Sequence, residues 1–122
     1  MKIKRIVPNI CTDKLNESRA FYEDFLGLKL VMDMNVVMTF ASHQNPMAQI
    51  TIIQEDQFQE SNADISITIE VVDIDAVYEK ALRSDYDIIY PLKEEPWGVR
   101  RFFVLDPNGV TINLMSHLYS KE

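Results

Sequence analysis

One short stretch of this sequence, EEPWGVRRFFVLDPNGVTINLMSH, residues 94–117, packs a Trp-Gly turn, an Arg pair and an Asp-Pro-Asn-Gly hairpin together. A Pro-Trp-Gly segment there holds one large ring, Trp97, at a strand entrance. Such a ring can stack on an aromatic or cationic ligand for about 1–2 kcal/mol. The competing reading is that Trp97 plugs the core or an interface between two copies. Arg101, Phe103, Asn113 and Met115 follow at alternate positions and could share its face. The only histidines are His43, in a Gln/Asn/Pro-rich loop, and His117. They could form a metal pair, or they could simply face solvent or accept ordinary hydrogen bonds. The single cysteine, Cys11, excludes an internal disulfide and fits a reducing cytoplasm. NICTD supplies no base beside it, so a buried strand thiol is expected rather than a reactive one. No Ser-His-Asp set with plausible geometry and no phosphate loop is present, and the close carboxylates of ED and EE are read as solvated loop residues.

The elements that position these residues follow from periodicity. Residues 3–11, IKRIVPNIC, are β-branched and apolar and predict a strand. In TDKLNESRAFYEDFLGLKL, the apolar Leu15, Ala20, Phe21, Phe25 and Leu26 recur near helical spacing, and Gly27 can end the helix in a left-handed conformation. Strands are expected at 29–34, 36–42 and 48–54, and EDQFQESNAD reads as a polar linker. The order then repeats: strand in DISITIEVV, helix in DIDAVYEKALRS, then strands in DIIYPL, VRRFFVL and VTINLMSH. Asp73 or Asp75 stands near that helix's N-terminus and Lys80 and Arg83 near its C-terminus, matching the helix dipole. YEDFL at 22–26 returns as YEKAL at 78–82. A duplicated βαβββ unit accounts for both observations. The expected fold is α+β, with module 1 at about 1–56 and module 2 at about 63–122. Each sheet would carry its helix on one face, and two facing sheets would enclose a half-barrel cleft.

The turn DPNG sets the register of the last hairpin. Pro107 presets φ, Asn108 tolerates the second turn position and Gly109 can take φ > 0, giving a three-residue loop with a glycine bulge. Pairing Asp106 with Val110 places Phe103 opposite Asn113, Arg101 opposite Met115 and Val104 opposite Ile112. Phe102, Val104, Ile112 and Leu114 then share an apolar, helix-covered face. Arg101, Phe103, Thr111, Asn113, Met115 and His117 share the other. In module 1, Ile50 and Ile52 should face the helix and leave Gln49 and Thr51 outward. Met38 and Phe40 are preferred over Val37 and Thr39 as their outward neighbours. Arg100, on the helix side, should snorkel or pair with an acidic side chain rather than touch ligand. Met32, Met34, Met38, Met47 and Met115 could form an adaptable wall, or serve as core filler.

Composition narrows the partners. Twelve Lys and Arg against nineteen Asp and Glu give a formal charge of −7, so no basic face is available to track phosphates and nucleic acid is not expected. The acidity would suit a cationic ligand, though many soluble proteins share it. No run approaches the roughly 18 apolar residues of a membrane span. MKIKR is followed by an apolar run broken at Pro8, Asn9 and Thr12, so no signal peptide is expected.

The frame IVPNICTDKLNESRAFYEDFLGL, joined to PWGVRRFFVLDPNGVTINL, resembles the vicinal oxygen chelate superfamily, which includes glyoxalases, extradiol dioxygenases, fosfomycin thiol transferases and bleomycin-resistance proteins. The resemblance spans essentially the whole chain. It implies that a metal ion, where one is used, would be held at the positions occupied here by Val7, Ser66 and Asn113. Valine offers no donor atom, and serine and a neutral amide are poor replacements for imidazole or carboxylate. The first-strand PxI and PWGxR resemble the metal-free bleomycin-resistance branch, whose members are homodimers that sequester a drug. That branch usually continues DPxGN, whereas Val110 follows Gly109 here.

The resulting expectation is a non-catalytic small-molecule binding protein without cofactor or metal, a cytoplasmic homodimer that sequesters a cationic or aromatic drug. Its ligand would meet Trp97, Arg101, Phe103, Asn113, Met115, Met38, Phe40 and Gln49. Two alternatives stand beside it. One is a metal-dependent lyase, isomerase or dioxygenase using Glu55, Glu70, His43 and His117. The other is a structural or regulatory interaction module.

Overall fold

A computed structural model describes residues 1–55, 62 and 65–118. The chain divides into two compact units, Met1–Glu60 and Ser61–Glu122. Each is a βαβββ module with one helical segment and one four-stranded sheet. Most of the linker expected at 55–64 lies outside the described residues.

In the first unit, β1 (Asn9–Thr12) pairs in parallel with β4 (Gln49–Gln54), which runs antiparallel to β3 (Val37–Ala41). The outer strand β2 (Lys29–Asp33) completes the order β1-β4-β3-β2. The first strand is shorter than its composition suggests. It starts only after Pro8, whose ring nitrogen has no hydrogen to give to a ladder. The Pro8 carbonyl still accepts from Thr51 N at 2.9 Å, while Ile3 and Ile6 stay exposed.

The expected helix is also modified. Helix α1 (Leu15–Arg19) passes into a π-helical stretch, Ala20–Phe25, closed by Leu26 N donating to the Phe21 carbonyl at 3.0 Å. Phe21, Tyr22 and Phe25 lie on its buried side, with Phe21 centred 5.0 Å from Tyr22 and 5.3 Å from Phe25. Gly27 follows at φ 72°, as the helix end requires.

The second unit repeats the plan. β5 (Ser66–Glu70) pairs in parallel with β8 (Thr111–His117), next to β7 (Val99–Leu105) and the outer strand β6 (Ile88–Glu95), in the order β5-β8-β7-β6. Helix α2 (Ile74–Leu82) starts at Asp73, whose carboxylate accepts from Ala76 N at 3.2 Å. Its Tyr78 ring meets Phe102 edge-on at 4.9 Å. Phe102, Val104, Ile112 and Leu114 are all fully buried, as alternation along the hairpin requires.

The hairpin register matches the reading of DPNG. Phe103 faces Asn113, Arg101 faces Met115 and Val104 faces Ile112. Gly109 has φ 82°, Asp106 N donates to the Val110 carbonyl at 3.0 Å, and Gly109 N donates to the Asp106 carbonyl at 3.2 Å. The Asp106 carboxylate also accepts from Asn108 N at 2.8 Å and Val110 N at 2.9 Å, which fixes the turn from inside.

Candidate functional site

The face of the second sheet turned away from α2 carries the most concentrated polar and aromatic chemistry. The β6–β7 turn builds it. Gly98, at φ 88°, donates its N–H to the Glu95 carbonyl at 3.1 Å, so Glu95 pairs with Val99 and Lys93 with Arg101. That register brings Glu95 onto the same side as Arg101. Its carboxylate Oε2 accepts from Arg101 Nε at 2.8 Å and lies 2.7 Å from Nη2. The Tyr90 hydroxyl donates to the same oxygen at 2.8 Å.

Three rings surround the guanidinium. Its central carbon lies 5.5 Å from the Tyr90 centroid, 5.0 Å from Trp97 and 4.8 Å from Phe103, all within cation–π range. Tyr90 and Phe103 stack on each other at 4.7 Å. Glu95 is buried, at 7% exposure, whereas Trp97 is 63% exposed. Hydrogen bonding from Tyr90, followed by the Arg101 contacts, holds the Glu95 carboxyl below its ordinary value against the opposing pull of burial.

Next to Phe103 on β8, Asn113 donates Nδ2 to Thr68 Oγ1 at 3.1 Å. Asn113 Oδ1 is shut off from solvent without a hydrogen-bond partner among the described residues. At the end of the same face, His117 Nδ1 lies 2.8 Å from Glu70 Oε2. The pair ties the end of β5 to the end of β8.

Arg101, Phe103, Asn113 and Met115 therefore stand on one face, as alternation predicts, with Trp97 in the turn that leads to it. Two residues expected outward in the first unit are not there. Met38 and Phe40 lie on the helix side, because their register partners are Ile52 and Ile50 and paired residues share a face. Phe40 is fully buried against Tyr22, with centroids 6.1 Å apart. The outward neighbours are Thr39, whose hydroxyl meets that of Thr51 at 2.8 Å, and Ala41, opposite Gln49. Gln49 itself is half-buried. Its Nε2 donates to the Pro46 carbonyl at 2.8 Å and its Oε1 accepts from Arg5. Arg100 pairs with Asp75 at 3.0 Å and more loosely with Glu94 at 3.8 Å.

Tyr90 and Glu95 escaped the sequence reading. The EE pair carries the composition of a solvated loop, but β6 continues to Glu95. A hairpin turn at PWG places Glu95 opposite Val99, whereas Tyr90 comes opposite Phe103 only through the register shift between Tyr90 and Lys93.

The profile of a family described as a glyoxalase-like domain matches residues 6–119. The chain belongs to that glyoxalase-like family. Among solved structures, TioX from Micromonospora sp. ML1 superposes with a TM-score of 0.79 at 15% identity, covering 95% of this chain and 100% of that one. A glyoxalase/bleomycin resistance protein/dioxygenase from Nocardioides gives 0.76 at 18% identity, covering 100% and 88%. A protein of unknown function from Agrobacterium tumefaciens str. C58 gives 0.73 at 24% identity, covering 97% and 95%. These likenesses establish the glyoxalase/bleomycin resistance/dioxygenase fold. Among curated proteins, nothing matches the sequence.

The donor set at the positions assigned to a metal ion within the superfamily does not fit one. Val7 is a hydrocarbon, Ser66 is a neutral hydroxyl, and Asn113 is a neutral amide already bonded to Thr68. Among the described residues, no three His, Cys, Asp or Glu side chains gather closely enough to hold an ion. Glu70 and His117 do meet, while His43 and Glu55 belong to the other unit. No helix among the described residues is long and apolar enough to cross a membrane.

Proposed function

We propose that this glyoxalase-like chain captures a planar aromatic small molecule without changing it, and that it acts as a homodimer that can sequester a drug. The observation carrying this reading is the exposed Trp97 ring, set over Arg101 in an aromatic box anchored by a buried carboxylate. A flat ligand laid on Trp97 gains stacking area from a side chain whose position is already fixed, so little ordering entropy is lost. Phe103 and the exposed edge of Arg101 would form the rest of the surface. On this reading the same face lacks an activated nucleophile, and Glu95 holds one edge of its arginine.

The dimer is supported by apolar side chains on and beside the outer strand β2. Val31, Met32, Met34 and Val36 are all exposed, and such a strip on a sheet edge is normally covered. Sedimentation should give twice the chain mass.

The test is titration with planar aromatic drugs, bleomycin included, followed by mass spectrometry of the recovered compound. Saturable binding that weakens in Trp97→Ala, with the compound's mass unchanged, is expected. Absence of binding across the panel, or conversion of a compound, overturns the reading. One feature favours a catalyst instead: Glu70 fixes one nitrogen of His117 and leaves the other for proton transfer. Elemental analysis of chelator-free protein and loss of turnover in His117→Ala would carry that second reading.

A further inference from the structure

The box formed by Tyr90, Trp97 and Phe103 looks like a receptor for a cation, yet the chain fills it itself. Three ring centroids lie 4.8–5.5 Å from the Arg101 guanidinium carbon. The matching negative charge, Glu95, is buried and already bonded to that guanidinium and to Tyr90. An arriving cation would find no uncommitted charge. To enter, it would have to evict Arg101 from a two-point contact at 2.7 and 2.8 Å.

What remains open is the other edge of the guanidinium. Nε and Nη2 both point at Glu95 Oε2, while Nη1 has no acceptor among the described residues. The Arg101 side chain keeps 22% of its surface exposed, and the neighbouring Trp97 ring keeps 63%. A rigid, planar fork with one edge fixed and the other free is well suited to receive an oxygen acceptor.

We propose that the ligand is a planar aromatic molecule bearing a carboxylate or carbonyl oxygen. Its ring lies on Trp97, its oxygen meets Arg101 Nη1, and aromatic cations are disfavoured. This rests on the binding reading above and narrows it. The chain's overall charge of −7 points the other way, toward cations. That long-range attraction is screened beyond about 8–10 Å at physiological salt, whereas Arg101 acts at contact distance. Local recognition therefore decides.

Three flat probes of similar size, naphthoate, neutral naphthamide and N-methylquinolinium, separate the possibilities. Binding is followed by calorimetry and by the indole N–H resonance of Trp97, the only tryptophan. Naphthoate is expected to bind tightest, naphthamide next and the quinolinium weakest. Arg101→Met should weaken naphthoate by about tenfold or more, the loss of one charge-assisted hydrogen bond. It should also strengthen the quinolinium, because the freed Glu95 carboxylate then lies in an empty aromatic box. If that variant does not fold, Arg101→Met combined with Glu95→Gln removes both charges and should abolish the preference among the three probes. Quinolinium binding as tight as naphthoate in the wild type, or naphthoate binding indifferent to Arg101, overturns the inference and leaves the binding reading standing. If no probe moves the Trp97 resonance, the binding reading and the inference fail together.

Discussion

Truncating Phe40 to alanine discriminates sharply between two placements of one ring. The structure buries it completely, opposite Ile50 on β4 and against the Tyr22 ring. Removing a buried phenyl forfeits its transfer energy and leaves a cavity, so the loss should be about 3–5 kcal/mol. Had Phe40 faced outward as a ligand contact, the loss would be within about 0.5–1 kcal/mol. The difference is several times the error of a urea titration followed by circular dichroism. Phe40→Leu retains most of the volume and should lose about 1–2 kcal/mol, which keeps the comparison measurable if the alanine variant does not fold. Thr39→Ala, one residue away on the opposite face, removes the hydroxyl shared with Thr51 and one methyl and should cost about 1–2 kcal/mol. If Phe40→Ala proved no more harmful than Thr39→Ala, the assigned facing of β3 would be wrong.

Other perturbations should follow the same logic. Asp106→Ala leaves the N–H groups of Asn108 and Val110 without their carboxylate and should destabilise the chain by about 2–4 kcal/mol in thermal or urea unfolding; a loss below 1 kcal/mol contradicts the proposed role of the turn. Gly109→Val forces a β-branched residue to φ 82° and should cost about 1–2 kcal/mol or more, read by the same unfolding curves. Because folding lowers the Glu95 pKa, its stabilising contribution is complete above the ordinary carboxylate range and fades as pH falls through its lowered value. The stability gap between wild type and Glu95→Gln should therefore stay level from neutral pH to about pH 5 and narrow below about pH 4. A gap that widens in acid contradicts the assignment.

Much of the second unit was legible because its signals are local. DPNG, with a glycine at the position requiring positive φ, fixes the register, and strict alternation along FFVL and VTINL then assigns both faces. Asp73 and Gly27 mark helix ends in the same direct way. The first unit is harder because VMTFA has no clean period of two: Met38, Thr39, Phe40 and Ala41 are all buried. Its register depends on the long connection SHQNPMA, closed by Ser42 N donating to the Ala48 carbonyl rather than by a recognisable tight turn. Glu95 was missed for a different reason. A carboxylate beside another carboxylate before proline reads as solvated, and only the hydroxyl of Tyr90 and the guanidinium of Arg101, supplied by neighbouring chain, make its burial tolerable. The π-helical stretch in AFYEDF carries no composition signal at all.

The most direct measurement is the affinity of wild type and Trp97→Ala for the tightest-binding planar aromatic compound, with the recovered compound weighed for any chemical change. The account predicts saturable binding by the wild type, a loss of about tenfold on removing the ring, and a compound returned intact. Equal affinity in both proteins, or a transformed product, would contradict it.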